Sequence, residues 1–245
     1  MQIGVSTAGA FGAASIPGKT AVHSVTNRIA GEGIVRLRPL SFFVFTLCVG
    51  VVLIGHDAWA HHVMSGKLPT TFLDGILSGL GHPIIGIDHL AAVIAVGCLA
   101  AAHTLGPVLV VGYVLAQVLA AAAHVKGLTV PAAELLVALS VIALGAVLVV
   151  RRTLSPALIL GLFVLAGLFH GYALGESIVG AEPAPLSAYF VGFAVIQAVI
   201  ALGAMTIVRI AAPRSEGQHV TVRLIGAGIV GFGIAAAMTQ LLSVA

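Results

Sequence analysis

Charged side chains are scarce in this sequence, because only 8% of its 245 residues are Asp, Glu, Lys or Arg. An ordinary soluble domain carries about 25% charged residues. Here 60% of the residues are apolar, and the mean hydropathy is +1.16. Such a chain has too few polar groups to cover a surface that faces water. The shortage argues against a soluble enzyme, a nucleic-acid-binding protein and a disordered protein, and it predicts a membrane protein of one domain.

Cysteine pairs, nucleotide-binding motifs and a strong net charge are also missing. The two cysteines, Cys48 and Cys98, both lie in apolar runs, so the sequence predicts no disulfide framework. No P-loop occurs, and the G-x-G-x-x-G string at 226–231 lies inside an apolar span, where close helix packing is the better explanation. The net charge of +3 is too small to indicate a surface for nucleic-acid phosphates, so no nucleic-acid partner is predicted.

The first part of the chain has the features of an export signal. Arg36 and Arg38 precede a short apolar run at 40–55, and the string Ala-Trp-Ala follows at 58–60. A basic segment, a short apolar segment and small residues around a cleavage point are typical of a secretory signal peptide.

We therefore predict that 1–60 are a leader and signal peptide, and that 61–245 form a single transmembrane domain. Cleavage after Ala60 would make His61 the first residue of the mature chain. The alternative is an uncleaved first transmembrane helix. The length of the leader is explained if translation begins near Val35.

The rest of the chain divides into apolar runs of about 20 residues, the length that crosses a bilayer. Six spans are predicted, at 84–103, 106–124, 131–150, 155–175, 186–210 and 221–243. The apolar piece at 70–81 is too short to cross and is followed by Pro83, which indicates a half-helix before the first span. The predicted fold is an all-α, polytopic membrane helix bundle of about six spans after the signal peptide.

Basic residues predict the orientation of these spans. If the mature N-terminus lies outside, five basic residues fall in inner loops: Arg151, Arg152, Arg209, Arg214 and Arg223. The outer loops then hold only Lys67 and Lys126. The positive-inside rule therefore predicts a multi-pass protein of the inner (plasma) membrane, with the lipid bilayer around it and both ends of the mature chain outside.

Ionisable residues cluster where the first predicted span begins, in the string His82-Pro83-Ile84-Ile85-Gly86-Ile87-Asp88-His89. Ionisable groups in a bilayer are unfavourable, so they mark a function by default. His82 and His89 are seven residues apart, which places them on one helix face. Imidazole suits transition metals such as nickel, zinc and copper, and Asp88 is either a further ligand or the group that orients an imidazole. The alternative is helix capping with histidines at the membrane interface.

The fourth predicted span ends in a second polar cluster, Phe169-His170-Gly171-Tyr172-Ala173-Leu174-Gly175-Glu176-Ser177. The first span starts outside and the fourth ends outside, so the topology places both clusters at a similar depth. The candidate metal ligands from the two clusters are His82, Asp88, His89, His170 and Glu176.

Three more residues are candidates for binding metal on the outer side. Glu134 lies near the outer end of the third span, and its alternative role is a solvated carboxylate favoured by the helix dipole. His61 and His62 would form a metal-attracting start of the mature chain. An accidental pair of histidines is the alternative for these two.

The two clusters together resemble the HupE/UreJ family of nickel/cobalt permeases. The resemblance covers most of 61–245, and its most specific piece is H-P-x-x-G-x-D-H-L, which stands here at 82–90. It implies that His82, Asp88 and His89 take part in metal transport.

The second motif departs from that family's frequent pattern, F-H-G-x-A-H-G-x-E. Leu174 replaces the second histidine, Ser177 stands at the position of the glutamate, and Glu176 comes one place early. Glu176 rejoins the face of His170 only if the helix unwinds after Gly175. The change removes a nitrogen ligand, so it bears on which metal is carried.

The favoured function is a permease, not an enzyme, that imports Ni²⁺ or Co²⁺ as its transported substrate and has no resident cofactor. The site must bind the ion incompletely, because a closed cage would store the metal. Neutral imidazole is the ligand form, so low pH should inhibit uptake.

Two other classes of function stay open. One is a metal-sensing or accessory membrane subunit of a hydrogenase, urease or cobalamin pathway. The other is an intramembrane enzyme, against which the absence of H-E-x-x-H and of desaturase-like histidine boxes counts. Cellular accumulation of metal distinguishes the permease from both. The sequence allows a homo-oligomer and leaves the number of subunits open.

Overall fold

The computed structural model describes residues 1–2, 4, 68–150, 154–211 and 216–244, and in the last stretch it describes side chains from 220 to 243. The predicted leader and its cleavage point, His61 and His62 lie outside the described residues. So do four of the basic residues that predicted the orientation, Lys67, Arg151, Arg152 and Arg214.

The described residues fold into seven α-helices, with no strand among them. The helices are α1 (Phe72–Ile85), α2 (Ile87–Ala100), α3 (Gly106–Val125), α4 (Ala133–Val149), α5 (Pro156–Glu176), α6 (Pro183–Ala211) and α7 (Glu216–Val244). Three of them begin with a proline in the first turn, where the missing N–H has no helical partner to lose. The prediction of an all-α bundle is confirmed.

Among the described residues, four helices are long and apolar enough to cross a membrane: α3, α5, α6 and, within α7, Val220–Ser243. A fifth span results if α1 and α2 count together as one span with a bend of 79°. The apolar α4 has 17 residues, about 26 Å of helix, which is at the short end of the spanning range. The count of six spans includes α4 and stays a prediction.

The break before the first full span lies later than the sequence predicted. The first helix runs through Pro83 and ends at Ile85, and Gly86 has an extended conformation with φ −71° and ψ 99°. Its start is fixed by a capping box, in which the Asp74 N–H donates to Oγ1 of Thr71 and the Thr71 N–H donates to the Asp74 carboxylate. The predicted half-helix is therefore present, but its end moves from residue 81 to residue 85.

The broken pair α1–α2 lies along α6, with α1 against the first half of α6 and α2 against the second. Gly75 lies against the backbone of Pro185, and Gly97 lies against the backbone of Ala201. A methyl group at either glycine would collide with a carbonyl oxygen, so small residues permit this close approach. The residue numbers of the contacting positions increase together along α1–α2 and along α6. These segments therefore run in the same direction.

Two further helix pairs form the rest of the bundle. Along α5, the residues Gly167, Gly171 and Gly175 lie in turn against Tyr113, Gln117 and Ala121 of α3, so these two helices are parallel. Gly145 of α4 lies against Gly226 of α7, and Gly233 lies against Ile142, so that pair is antiparallel. Spans that cross the bilayer in alternating directions give these three relations.

Candidate metal-binding site

The break at Gly86 brings three histidines together inside the bundle. His82 in the last turn of α1 is 2% exposed, His89 in the first turn of α2 is 4% exposed, and His170 of α5 is fully buried. The ring centroids are 5.9 Å apart for His82 and His89, and 4.9 Å apart for His89 and His170. On one straight helix the first two residues would be separated by about 10 Å along the axis. The bend therefore turns a sequence spacing into a cluster.

Two of these rings are hydrogen-bonded to each other across 81 residues of chain. Nδ1 of His89 lies 2.7 Å from Nδ1 of His170. On its other side, Nε2 of His170 lies 3.0 Å from Oγ of Ser140 on α4. The Ser140 hydroxyl also lies 2.7 Å from the carbonyl oxygen of Val137, to which it donates.

The two hydrogen bonds of Ser140 together determine the tautomers of His170 and His89. A hydroxyl has one proton, and since Ser140 donates it to Val137, the serine oxygen accepts from Nε2–H of His170. A neutral His170 then has an acceptor at Nδ1, so Nδ1–H of His89 is the donor between the two rings. His89 is therefore left with a lone pair on Nε2, the form in which imidazole binds a metal.

The absence of a side chain at position 86 makes room for this arrangement. A methyl group there would lie 2.7 Å from Cδ2 of His89 and 3.2 Å from Oδ1 of Asp88. The same Asp88 oxygen accepts a hydrogen bond of 2.8 Å from the N–H of His89. Because Gly86 has no side chain, the imidazole of His89 and the carboxylate of Asp88 can lie close to the backbone at position 86.

Asp88 supplies negative charge to the middle of the bundle. Its side chain is half-buried, and its carboxylate interacts electrostatically with His170 and with Tyr113 of α3. A half-buried carboxylate beside imidazoles can compensate part of the charge of a divalent ion.

The C-terminal end of α5 is joined to α6 by hydrogen bonds rather than by a metal ligand. The Tyr189 hydroxyl donates to the carbonyl of Leu174 at 2.8 Å and lies 3.0 Å from Oγ of Ser177. The ring of Tyr189 also lies edge-on to His82, with 6.3 Å between centroids. Leu174, at the position of the expected second histidine, is fully buried against Tyr189 and Phe193.

Two of the predicted acidic ligands lie away from the three rings. Glu176 is the exposed last residue of α5, which stays helical up to that point, so the unwinding that would return Glu176 to the face of His170 does not occur. Glu134 is half-buried in the first turn of α4, about 9 Å along that helix from Ser140. Within the described part of the chain, no group of three or more His, Cys, Asp or Glu residues is arranged to hold an ion.

Sequence reasoning missed several uncharged polar residues of the bundle. Ser140, which fixes the His170 tautomer, is one, and Tyr189 beside His82 is another. Gln117 of α3 and Gln197 of α6 are both fully buried and are bonded to each other at 3.0 Å. The available signal was a lone amide within an apolar span, because such a group is unfavourable in a bilayer unless another group satisfies it.

Comparison with known proteins identifies the family. The profile of the family described as HupE / UreJ protein matches residues 48–236, well over half of the chain. The chain belongs to the HupE/UreJ family. This family comprises membrane accessory or transport proteins associated with nickel and cobalt uptake for hydrogenase and urease. The resemblance stated from the motifs is confirmed, and with its apolar helices the protein is a multi-pass membrane protein.

A relative within this family has a similar sequence over part of its length. Protein HupE of Rhizobium leguminosarum bv. viciae is 34% identical over 107 residues, which are 42% of this chain and 54% of HupE. The match therefore spans about half the length of that relative. No solved structure matches the chain.

Proposed function

We propose that this protein is a permease that carries Ni²⁺ or Co²⁺ inward across the inner membrane. The observation that carries the proposal is the contact between His89 and His170, which joins two polar clusters in the interior of an apolar bundle. In this proposal His82, Asp88, His89 and His170 bind the ion during its passage.

The ligand chemistry of these residues supports a transition-metal substrate. Imidazole nitrogens bind nickel and related divalent ions well, whereas oxygen-only sites favour magnesium, calcium or manganese. The lone pair on Nε2 of His89 is a ready ligand. His82 lies beside it, and the carboxylate of Asp88 offsets part of the ion's charge.

An incomplete ligand set also supports transport rather than storage. Ions pass through a protein when binding is favourable enough for entry and weak enough for release. Since the described residues form no closed set of three or more His, Cys, Asp or Glu ligands, the ion keeps part of its water shell at this site.

Residues nearer the outer side complete the proposed entry. His61 and His62 gather metal at the start of the mature chain, and Glu176 and Glu134 add negative charge near the outer ends of α5 and α4. With the predicted orientation, the membrane potential pulls the ion inward. A divalent ion gains about 4.6 kcal/mol per 100 mV, which is enough for facilitated diffusion without ATP.

Uptake of radiolabelled Ni²⁺ and Co²⁺ tests the proposal in cells that lack their own permeases for these ions. We expect the intact chain to raise uptake above that of empty cells, and Asp88→Asn and His89→Ala each to lower it by at least about tenfold at equal expression. His103→Ala is the matched control, because His103 lies just past the far end of α2 and its backbone carbonyl, not its ring, accepts a hydrogen bond from Arg209.

Two outcomes would contradict the proposal. Uptake equal to that of empty cells for both ions would favour the non-transporting accessory subunit of a hydrogenase, urease or cobalamin pathway. Equal losses in His103→Ala and in the two site variants would show that the losses come from general damage to the bundle. The isotope that accumulates faster names the preferred metal.

A further inference from the structure

A second group of buried polar atoms lies outside the histidine site. Gln117 of α3 donates from Nε2 to Oε1 of Gln197 on α6, and both residues are fully buried. In the described part of the chain, Oε1 of Gln117, Nε2 of Gln197 and the hydroxyl of the buried Tyr113 have no hydrogen-bond partner. Exchanging oxygen and nitrogen in both amides leaves the same inventory, one free oxygen and one free amide N–H group.

Unpaired buried polar atoms are rare, so three of them in one place need an explanation. Each destabilises the folded protein relative to an apolar side chain of similar shape. A protein that needed only to hold α3 and α6 together has leucine or alanine available for that purpose. The unpaired atoms indicate that another molecule or ion satisfies them at some stage.

The position of the amide pair links it to the histidine site. The backbone of Gln117 lies against Gly171, the residue that follows His170 on α5. Tyr113 lies about one turn from Gln117 on α3, and the carboxylate of Asp88 interacts electrostatically with both Tyr113 and His170. Polar atoms therefore continue from the three imidazoles across α3 and α6.

The row of polar groups from the imidazoles to Tyr113 ends at an apolar cluster. The ring of Tyr113 lies edge-on to Phe163, with 6.3 Å between centroids, and both belong to the main buried cluster of the bundle with Val93, Val96 and Leu144. An ion at Tyr113 is thus next to the apolar part of the bundle that it must pass to reach the other side.

We propose that Gln117, Gln197 and Tyr113 form a second station for the transported divalent ion, which begins beside His170 at the level of Gln117 and extends one helical turn toward the predicted cytoplasmic side at Tyr113. This inference rests on the proposed function. The amide oxygen and the phenol oxygen contact the ion or its remaining water molecules, and the free amide N–H group donates to one of those waters.

The change of ligand type gives the second station its role. Neutral oxygen ligands hold a transition-metal ion less tightly than imidazole does, and they add no charge to retain it. An ion that moves from the histidines to this station has therefore lost its strongest ligands and is ready for release. The membrane potential sets the direction of net travel, and weak binding at the second station lets the ion leave it quickly.

A purely structural role for the amide pair makes an opposite prediction about paired substitutions. Replacing one glutamine leaves the other amide buried without its partner, whereas replacing both by leucine removes every unpaired atom of the pair. A structural pair therefore predicts that the double variant works better than either single variant. A station for the ion predicts that the double variant is at least as impaired as the single ones.

The first test measures Ni²⁺ and Co²⁺ uptake by the purified full chain in proteoliposomes with an inside-negative potential. For the double variant Gln117→Leu/Gln197→Leu we expect the initial rate to fall by about tenfold or more, with little change in equilibrium binding of the labelled ion to the protein. Gln240→Leu is the matched control, since Gln240 lies half-exposed near the end of α7. A double variant that transports at the wild-type rate overturns the proposal.

The second variant, Tyr113→Phe, removes one unpaired oxygen and keeps the ring packed against Phe163. We expect slower uptake together with unchanged or raised thermal stability, because a buried unpaired hydroxyl disappears. Slower uptake with a stable fold supports the station even if the double variant does not fold. If Tyr113→Phe transports the ions at the wild-type rate, the proposed role of the Tyr113 hydroxyl is overturned.

The same assay separates failure of this inference from failure of the proposed function. If the wild-type protein transports no ion and Asp88→Asn changes nothing, the proposed function fails and this inference fails with it. If the wild-type protein transports, Asp88→Asn does not, and the Gln117/Gln197 and Tyr113 variants behave as wild type, only the second station is refuted.

Discussion

At the scale of single residues, the site depends on the hydrogen bond that the Ser140 hydroxyl donates to the Val137 carbonyl. Because this hydroxyl is committed to a backbone carbonyl, it accepts from His170, and the acceptor left on His170 orients His89. The sequence predicted His82, Asp88, His89 and His170 because ionisable groups in apolar spans are conspicuous. Ser140 could not be predicted, because a serine in a helix usually bonds to its own backbone and nothing in its spacing pairs it with α5.

The variant Ser140→Ala should weaken metal handling while leaving the histidines in place. It removes the acceptor of His170 Nε2–H, so His170 loses its fixed tautomer and His89 its orientation. We expect the apparent affinity in uptake assays to fall by about 10- to 100-fold, the usual effect of losing a group that orients a ligand. Ser187→Ala is the control, because Ser187 bonds to its own helix at an exposed position. Equal effects of the two variants would contradict the assignment.

The variant Gly86→Ala should abolish uptake without unfolding the bundle. The added methyl group would lie 2.7 Å from the His89 ring, so the ring must move away from His170. Gly161→Ala is the control, since a methyl group at Gly161 meets nothing within 4 Å and replaces glycine in a helix by a better helix former. Uptake by cells at matched expression is the measurement, and wild-type uptake in Gly86→Ala would contradict the role given to the break.

At the scale of helices, apolar length predicted most of the elements to within a few residues. The predicted span at 106–124 became Gly106–Val125, and the one at 155–175 became Pro156–Glu176. The predicted end of α1 was wrong, because the predicted break lies before Pro83. The helix α1 tolerates the missing N–H of Pro83, and the chain leaves the helical conformation three residues later, at Gly86. Which helices pair could not be predicted, since glycine rows permit close packing without naming a partner.

The glycine row of α5 should be intolerant of side chains. A methyl group at Gly171 would overlap the backbone of Gln117, so Gly171→Ala must push α3 and α5 apart. We expect it to destabilise the protein by about 1–3 kcal/mol, the usual effect of overpacking. Gly203→Ala on α6, where a methyl group meets nothing within 4 Å, should leave the melting temperature in detergent unchanged or higher. Equal melting temperatures for the two variants would contradict this packing.

At the scale of the whole molecule, two arginines bond to helix ends that the predicted orientation puts on the cytoplasmic side. Arg209 of α6 donates to the carbonyls of Ala101 and His103 just past the end of α2, and Arg223 of α7 donates to the carbonyl of Val149 at the end of α4. Each cation thus satisfies carbonyls that a helix end leaves unpaired. The basic residues predicted orientation from their number, but their bonding partners depend on contacts between distant helices.

The orientation is tested by labelling single cysteines from the two sides of the membrane. In a Cys48→Ala/Cys98→Ala background, a membrane-impermeant maleimide should label Lys126→Cys in intact spheroplasts. It should label Thr104→Cys, in the loop after α2, only after permeabilisation, because the two positions lie at opposite ends of α3. The reverse pattern would turn the protein over and make the proposed import an export.

The hydrogen bond between the two imidazoles also has a calorimetric consequence. Nδ1–H of His89 is held by His170, so an ion that binds at the lone pair of His89 Nε2 displaces no proton. Near pH 8, where free imidazole is neutral, the heat of Ni²⁺ or Co²⁺ binding should be the same in buffers with different ionisation enthalpies. A heat that tracks the buffer would mean that protons leave as the ion enters. Without such exchange, each ion carries its full two charges into the protein, and the proposed import would be electrogenic.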